Sequence, residues 1–124
     1  MYLRDVLTVT KAIIFSPISG EELLDREMRA GFGSDLMSDV LCYDLAQALL
    51  ITGLTNLQVV RTAEMADVAG ILIVRGKKPL AETIELAQQV GIPILGTQMT
   101  MFEACGRLYG AGLPALPATT TRPH

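Results

Sequence analysis

The stretch ALLITGLTNLQVVRTAEMADVAGILIV, residues 48–74, decides the fold of this chain. It begins with an apolar run at residues 48–52 that Gly53 ends, and it closes on a second apolar run at residues 70–74. Between the two runs, residues 56–67 carry apolar side chains at helical spacing, which is typical of an amphipathic helix. A strand, a helix and a strand joined by short loops predict a right-handed crossover between two parallel strands.

The same alternation continues towards the C-terminus. A helix is predicted over residues 80–90, where Gly91 closes it as a C-cap, and a strand is predicted over residues 92–96. A last helix is predicted from Thr100 to Tyr109, because its T-x-x-E start has the form of a capping box. Strands and helices that alternate in this way build a parallel sheet.

The segments before residue 48 complete the prediction. A further helix there begins with Ser34 as its N-cap and Asp35 in its first turn, where a carboxylate complements the helix dipole. The elements ahead of that helix are a helix over residues 2–9, a strand over residues 12–15, a connection over residues 16–25 and a strand over residues 28–32.

The whole pattern predicts an α/β protein. We expect a three-layer α/β/α sandwich around a mostly parallel sheet of about five strands. A chain of 124 residues fits one domain, which the elements place over residues 1–112. Residues 113–124 contain three prolines and three successive threonines, and they are predicted to form a disordered tail.

The charge balance excludes several classes of partner. The chain has 10 Lys and Arg against 13 Asp and Glu, which gives a net charge of -3. It therefore offers no lattice of cations for nucleic-acid phosphates or for an acidic membrane surface. Its apolar runs are far shorter than the roughly 20 residues that span a bilayer, and its start does not have the form of a secretory signal. A cytoplasmic protein is expected.

Cysteine and histidine are scarce in this chain. Cys42 and Cys105 are the two cysteines, and both are predicted to be reduced and buried. His124 is the only histidine and the last residue of the sequence. A His-based triad, a zinc site and a haem site all need imidazole or several thiolates on a packed scaffold, so none of these sites is predicted and no cofactor is expected.

Small and polar residues follow the predicted strands and define the candidate site. Ligands of open α/β sheets bind outside the carboxyl ends of the strands, so residues that directly follow strands share one edge. The candidate ligand-binding residues on this edge are Gly33, Ser34, Asp35, Ser38, Asp39, Thr52, Gly53, Arg75, Lys77 and Thr97.

Two pairs on this edge are spaced by one helical turn. Asp35 and Asp39 are four positions apart, as are Ser34 and Ser38, so each pair would share one helix face. Two carboxylates on adjacent turns could bind Mg²⁺ or share a proton. In the competing interpretation Ser34 caps the helix, Asp35 complements its dipole, and the other two residues bond a neighbouring loop.

Two segments are candidates for binding an anion. Arg75, Lys77 and Lys78 form the densest basic cluster, between a strand end and a helix start that would both favour a phosphate or carboxylate. The competing interpretation is a solvated turn whose charges offset nearby glutamates. Gly31 and Gly33, taken as a turn ahead of the next helix, could also cradle an anion through backbone N–H groups.

Several stretches together resemble the DRTGG domain family. They are AGFGSDLMSDVL at residues 30–41, LLITG at residues 49–53, AGILIV at residues 69–74, GIPIL at residues 91–95 and FEACGRLY at residues 102–109. The resemblance implies a fold like that of the HPr kinase N-terminal domain and a regulatory or binding role without assigned catalysis. The SDLMSD block is similar to short, single-domain members that are encoded beside hydrogenase and other redox genes.

The leading hypothesis is a regulatory module that binds a small anionic ligand, as a homodimer or docked on a larger enzyme. Two alternatives stay open. One is a small enzyme or sensor that acts on a phosphorylated metabolite or nucleotide through Asp35 and Asp39, and the other is a redox adaptor that uses Cys42 or Cys105. The dimer is expected from the apolar side chains of the last helix, Phe102, Cys105, Leu108 and Tyr109.

Overall fold

The computed structural model describes residues 1–16 and 23–117, and within them ten elements follow one another along the chain. None of the helices among them has both the length and the apolar character needed to cross a membrane. The elements are α1 (Leu3–Thr10), β1 (Ile13–Ile14), β2 (Gly31–Gly33), α2 (Met37–Cys42), β3 (Leu49–Thr52), α3 (Leu57–Ala66), β4 (Gly70–Ile73), α4 (Ala81–Val90), β5 (Ile94–Gly96) and α5 (Met101–Gly110).

The strands form one sheet in the order β1-β5-β4-β3-β2. Strands β2, β3, β4 and β5 run parallel, and the short β1 pairs antiparallel with β5. A helix lies in each connection between consecutive parallel strands: α2, α3 and α4 in turn. The predicted α/β fold with a mostly parallel sheet is confirmed, and the carboxyl ends of β2 to β5 share one edge.

Side chains alternate between the two faces of the sheet and form two separate apolar layers. Leu50 and Ile71 are fully buried on one face, where they pack in one cluster with side chains of α2, α3 and α4. Leu49 and Leu72 are equally buried on the other face, with side chains of α1 and α5. This arrangement is the three-layer sandwich that the sequence predicts.

Strand β2 lies later in the chain than predicted. The strand expected over residues 28–32 is Gly31–Gly33, and Met28 is a fully buried residue ahead of it. The N–H of Gly31 donates to the Pro114 carbonyl (2.8 Å), while the other side of the strand pairs with β3. Since these glycines lie in a paired strand, the interpretation of them as an anion-binding turn is wrong.

The packed part of the chain continues beyond the predicted boundary at residue 112. Leu113 is 3% exposed, and Ala115 forms a parallel bridge with β2. The first residues of the predicted tail therefore pack against the domain, where they cover the β2 edge of the sheet. Residues 118–124 of that tail and residues 17–22 of the predicted connection lie outside the described residues.

Candidate functional site

Four of the predicted site residues meet beside the carboxyl end of β3. Through Oδ1, the Asp35 side chain accepts hydrogen bonds from the Gly53 backbone N–H (2.7 Å) and from the Thr52 hydroxyl (3.1 Å). Its Oδ2 lies 3.8 Å from Nη2 of Arg75. We call these four residues the Asp35 cluster. The cluster ties the segment that precedes α2 to the ends of β3 and β4.

The backbone around the Asp35 cluster shapes the space that it occupies. A Cβ atom at Gly53 would overlap the Arg75 guanidinium and would lie 3.4 Å from Oδ1 of Asp35. Arg75 itself has a left-handed φ of 64°, and its N–H donates to the Met99 carbonyl (2.8 Å). The absence of a side chain at position 53 therefore gives the guanidinium room beside the carboxylate.

The surroundings of Asp35 favour its charged form. The hydrogen bond from the Gly53 N–H is the main cause that lowers the pKa of this carboxyl below its ordinary value, and partial burial opposes the shift. The Thr52 hydroxyl and the positive charges of Arg75 and Lys77 add to the lowering of the pKa. At neutral pH the group is therefore a carboxylate, which accepts hydrogen bonds and cannot act as a general acid.

A second group of predicted residues lines a small cavity at the ends of β4 and β5. The cavity measures about 110 Å³. We call it the lysine cavity, because three lysines contribute to its wall. Its lining residues are Lys11, Ile13, Phe15, Gly76, Lys77, Lys78, Gly96, Thr97 and Gln98.

Thr97 lines the lysine cavity and is held there by hydrogen bonds within the protein. The residue is 3% exposed, and its hydroxyl donates to the Thr10 carbonyl (2.6 Å) and accepts from the Met99 N–H (3.2 Å). Its carbonyl accepts from the Gly76 N–H (2.9 Å). Because protein groups already use both its hydroxyl and its carbonyl, Thr97 holds the wall of the cavity.

The rest of the predicted site is not assembled as expected. Helix α2 begins at Met37 with Leu36 as its N-cap, so Ser34 is not the N-cap and Asp35 is not in the first turn. The hydroxyl of Ser34 instead accepts from the Leu36 N–H (3.0 Å) in a local turn. The prediction that Ser34 shares a helix face with Ser38, and Asp35 with Asp39, is therefore wrong.

Ser38 and Asp39 are exposed on α2, away from the hydrogen bonds of the Asp35 cluster. Gly33 lies in β2, where an added Cβ would be 3.2 Å from the Cys105 sulfur, so it faces α5 and does not line the lysine cavity. Among residues 1–16 and 23–117, no three His, Cys, Asp or Glu side chains are grouped closely enough to hold a metal ion.

The two cysteines are free thiols in different environments. Cys42 is exposed, because the short α2 buries only Val40, so the prediction that both cysteines are buried is wrong. Cys105 is half-buried on α5, and this burial raises the pKa of its thiol. Helices α2 and α5 pack against opposite faces of the sheet, which keeps the two thiols apart.

Lys11 is the functional candidate that the sequence does not reveal. It ends α1 in a left-handed conformation with φ 54° and is far from Lys77 and Lys78 in sequence. Only the antiparallel pairing of β1 with β5, together with the bond between Thr10 and Thr97, brings it to the same cavity. No local pattern in the sequence encodes either contact.

Comparison with solved structures gives an informative similarity, whereas two other comparisons find no match. No family model matches the chain, and no curated protein matches it. Among solved structures, it is similar to the CBS and DRTGG domains of the regulatory region of Clostridium perfringens pyrophosphatase, in complex with the activator diadenosine tetraphosphate. The TM-score is 0.68 at 20% sequence identity.

That similarity covers 91% of this chain and 47% of the other, so the chain spans about half the length of the pyrophosphatase fragment. At this level of identity the likeness concerns the fold. It supports the DRTGG-like α/β domain that the sequence stretches predict.

Proposed function

We propose that this protein is a regulatory module that binds a small anionic ligand at the carboxyl edge of its sheet. The observation that carries the proposal is the gathering of Arg75 and Lys77 at the end of β4 in a chain whose net charge is -3. This is the position where open α/β sheets bind ligands. A protein of similar fold, the pyrophosphatase regulatory region, was solved in complex with a nucleotide activator.

The geometry of Asp35 favours binding over catalysis at this edge. The carboxylate is held by the Gly53 N–H and the Thr52 hydroxyl, and its pKa is lowered. Such a group stabilises the loops around a site and is a weak base for proton transfer. The alternative function, an enzyme that uses Asp35 and Asp39, requires turnover of a phosphorylated substrate that disappears in Asp35→Asn.

The ligand-binding proposal predicts a rise in melting temperature with anionic nucleotides. We expect AMP, ATP or diadenosine tetraphosphate to stabilise the protein by about 2.7 kcal/mol when present at a hundred times its Kd, and uncharged adenosine to have no effect. Arg75→Gln should reduce the shift, whereas Arg61→Gln, an exposed site on α3, should retain it. Unchanged melting curves across the whole series would contradict nucleotide binding at this edge.

We also propose that the protein acts as a homodimer through α5. A groove of about 390 Å³ lies between α5 and β2, and Phe102 and Tyr109 on its rim are 90% and 69% exposed. Two such apolar surfaces gain stability by covering each other.

Light scattering at micromolar concentration tests this dimer. We expect a dimer for the wild-type protein and a monomer for Phe102→Glu combined with Tyr109→Glu, since burying two new carboxylates without partners is costly. Leu36→Glu places the same charge on a residue that is 62% exposed and lies outside the groove, so it should remain dimeric. A monomeric wild-type protein would contradict the proposal.

The redox-adaptor alternative receives less support from the thiols. The raised pKa of Cys105 lowers the fraction of reactive thiolate, and the sheet separates this residue from Cys42. The larger partner that the module regulates would be a hydrogenase or another redox enzyme, as the family resemblance implies. Cys42→Ser combined with Cys105→Ser should then leave regulation intact.

A further inference from the structure

We infer that the lysine cavity is a binding site for a single phosphoryl group. The inference rests on the proposed function and names the chemical group that the edge recognises. The sequence contains three lysines, Lys11, Lys77 and Lys78, and all of them line this one cavity. In an acidic chain, the two distant segments that carry every lysine thus converge on one small space.

Among the described residues, no carboxylate forms an ion pair with these three exposed lysine side chains. Within residues 1–16 and 23–117, the ion pairs are made by Arg4, Arg75 and Arg107, and none involves a lysine. Asp35 is influenced by the charge of Lys77, yet its oxygens bond Gly53 and Thr52. Like charges that share a cavity repel each other, and a bound anion turns this repulsion into attraction.

The size and lining of the cavity select the kind of anion. Its volume of about 110 Å³ has room for a few water molecules, which suits the five heavy atoms of a phosphate and is too small to enclose a whole nucleotide. Three ammonium groups exceed what one carboxylate can neutralise, whereas a phosphate monoester near neutral pH carries up to two negative charges. Lysine binds phosphate as a mobile point charge, without the planar fork of arginine.

Other features of the wall strengthen such a contact. Ile13 and Phe15 provide apolar surface, which lowers the local dielectric constant and lengthens the reach of the charges. Gln98 supplies a side-chain amide donor. The backbone N–H groups of Lys78 and Gln98, two of the lining residues, donate no hydrogen bond in the part of the chain that the structure describes.

The fold holds the cavity in place before any ligand binds. The Thr97 hydroxyl fixes the end of α1, and thus Lys11, to the end of β5. The left-handed conformation of Gly76 (φ 65°) turns the chain towards Lys77, and a Cβ at Gly76 would overlap the Gln98 side chain. Because these contacts set the course of the backbone, little ordering of the backbone is needed on binding.

Calorimetric titration of the full chain with inorganic phosphate tests the site, with chloride used to keep the ionic strength constant. Ribose 5-phosphate and AMP form two further arms, which distinguish free phosphate from a phosphate monoester as the source of the group. We expect Lys11→Gln and Lys77→Gln each to raise the Kd for the best of these probes by about tenfold. The control Arg61→Gln removes the same charge from an exposed site on α3 and should leave the Kd unchanged.

The outcomes separate this inference from the proposed function. If nucleotides bind with equal affinity to the lysine variants and to the control, the phosphoryl site is wrong while the regulatory module stands. If phosphate binds in a lysine-dependent way and no nucleotide shifts the melting temperature, the site stands and the nucleotide-responsive function is wrong. Heat that chloride reproduces would overturn the site as well.

Discussion

Replacing Asp35 by alanine is expected to lower the free energy of unfolding by about 2 kcal/mol near pH 7. The substitution removes an acceptor from the Gly53 N–H and from the Thr52 hydroxyl, and it leaves Arg75 without its ion-pair partner. A hydrogen bond to a charged group contributes roughly 1.5–3 kcal/mol, and solvent screening of a side chain that is 42% exposed reduces the combined contribution of the two bonds to about 2 kcal/mol.

The effect of this substitution should depend on pH with a definite sign. The folded state lowers the pKa of Asp35 below its ordinary value of 3.8, so the unfolded chain binds the proton more tightly. The stabilisation is therefore complete above pH 3.8 and is lost as the pH falls through the lower pKa of the folded state. The difference in the free energy of unfolding between the wild-type protein and Asp35→Ala should become smaller as the pH falls through this range.

Urea denaturation at a series of pH values from about 7 to about 3 measures both quantities. Glu85→Ala is the matched control, because Glu85 is an exposed carboxylate on α4 that makes no ion pair among the described residues. It should change the stability by less than about 0.5 kcal/mol at any of these pH values. If the difference in the free energy of unfolding between the wild-type protein and Asp35→Ala stays constant on acidification, the carboxylate charge is not what stabilises the cluster.

The elements that the sequence predicts well are those whose ends carry a local signal. Gly91 ends α4 with φ 76°, and the Thr100 hydroxyl accepts from the Glu103 N–H (3.2 Å) at the start of α5. The central strands are equally clear, because continuous apolar runs of strand length belong in a sheet that is covered on both faces. Nearest-neighbour chemistry is sufficient for these predictions.

The start of α2 shows where local chemistry misleads. Ser34 and Asp35 have the composition of a helix N-terminus, and the sequence predicts one there. Asp35 instead accepts hydrogen bonds from the Gly53 N–H and the Thr52 hydroxyl, at the carboxyl end of β3. Because these donors already bond the carboxylate, it does not cap the N-terminus of a helix, and α2 begins later, at Met37. Only the folded sheet brings the competing donors into reach.

Some residues of the candidate site can be predicted from the sequence, and others cannot. Sequence order alone places Thr52, Gly53, Arg75 and Lys77 on one edge, because each follows a predicted parallel strand. The position of Lys11 depends on the antiparallel pairing of β1, a strand of two residues. The pairing of so short a strand depends on tertiary packing. The spacing of residues in the sequence therefore does not predict the cavity that this pairing completes.

Replacing Thr97 by valine is expected to lower the free energy of unfolding by about 1–3 kcal/mol. Valine has nearly the same shape, so the apolar packing is retained while the hydroxyl is lost. The buried Thr10 carbonyl then loses the donor at 2.6 Å, and the Met99 N–H loses its acceptor. An unsatisfied buried polar group costs the full penalty of its desolvation.

The substitution Thr97→Val also tests whether Thr97 positions Lys11 or only stabilises the fold. If the bond between Thr10 and Thr97 holds Lys11 at the cavity, Thr97→Val should raise the Kd for inorganic phosphate under conditions where the variant is still folded. Thr8→Val is the control, since the exposed Thr8 hydroxyl donates to the Arg4 carbonyl (3.1 Å) away from the cavity. It should change neither the stability nor the affinity by a measurable amount. A destabilised Thr97→Val that keeps the phosphate affinity of the wild-type protein would mean that Lys11 is positioned without this bond, by the pairing of β1 with β5.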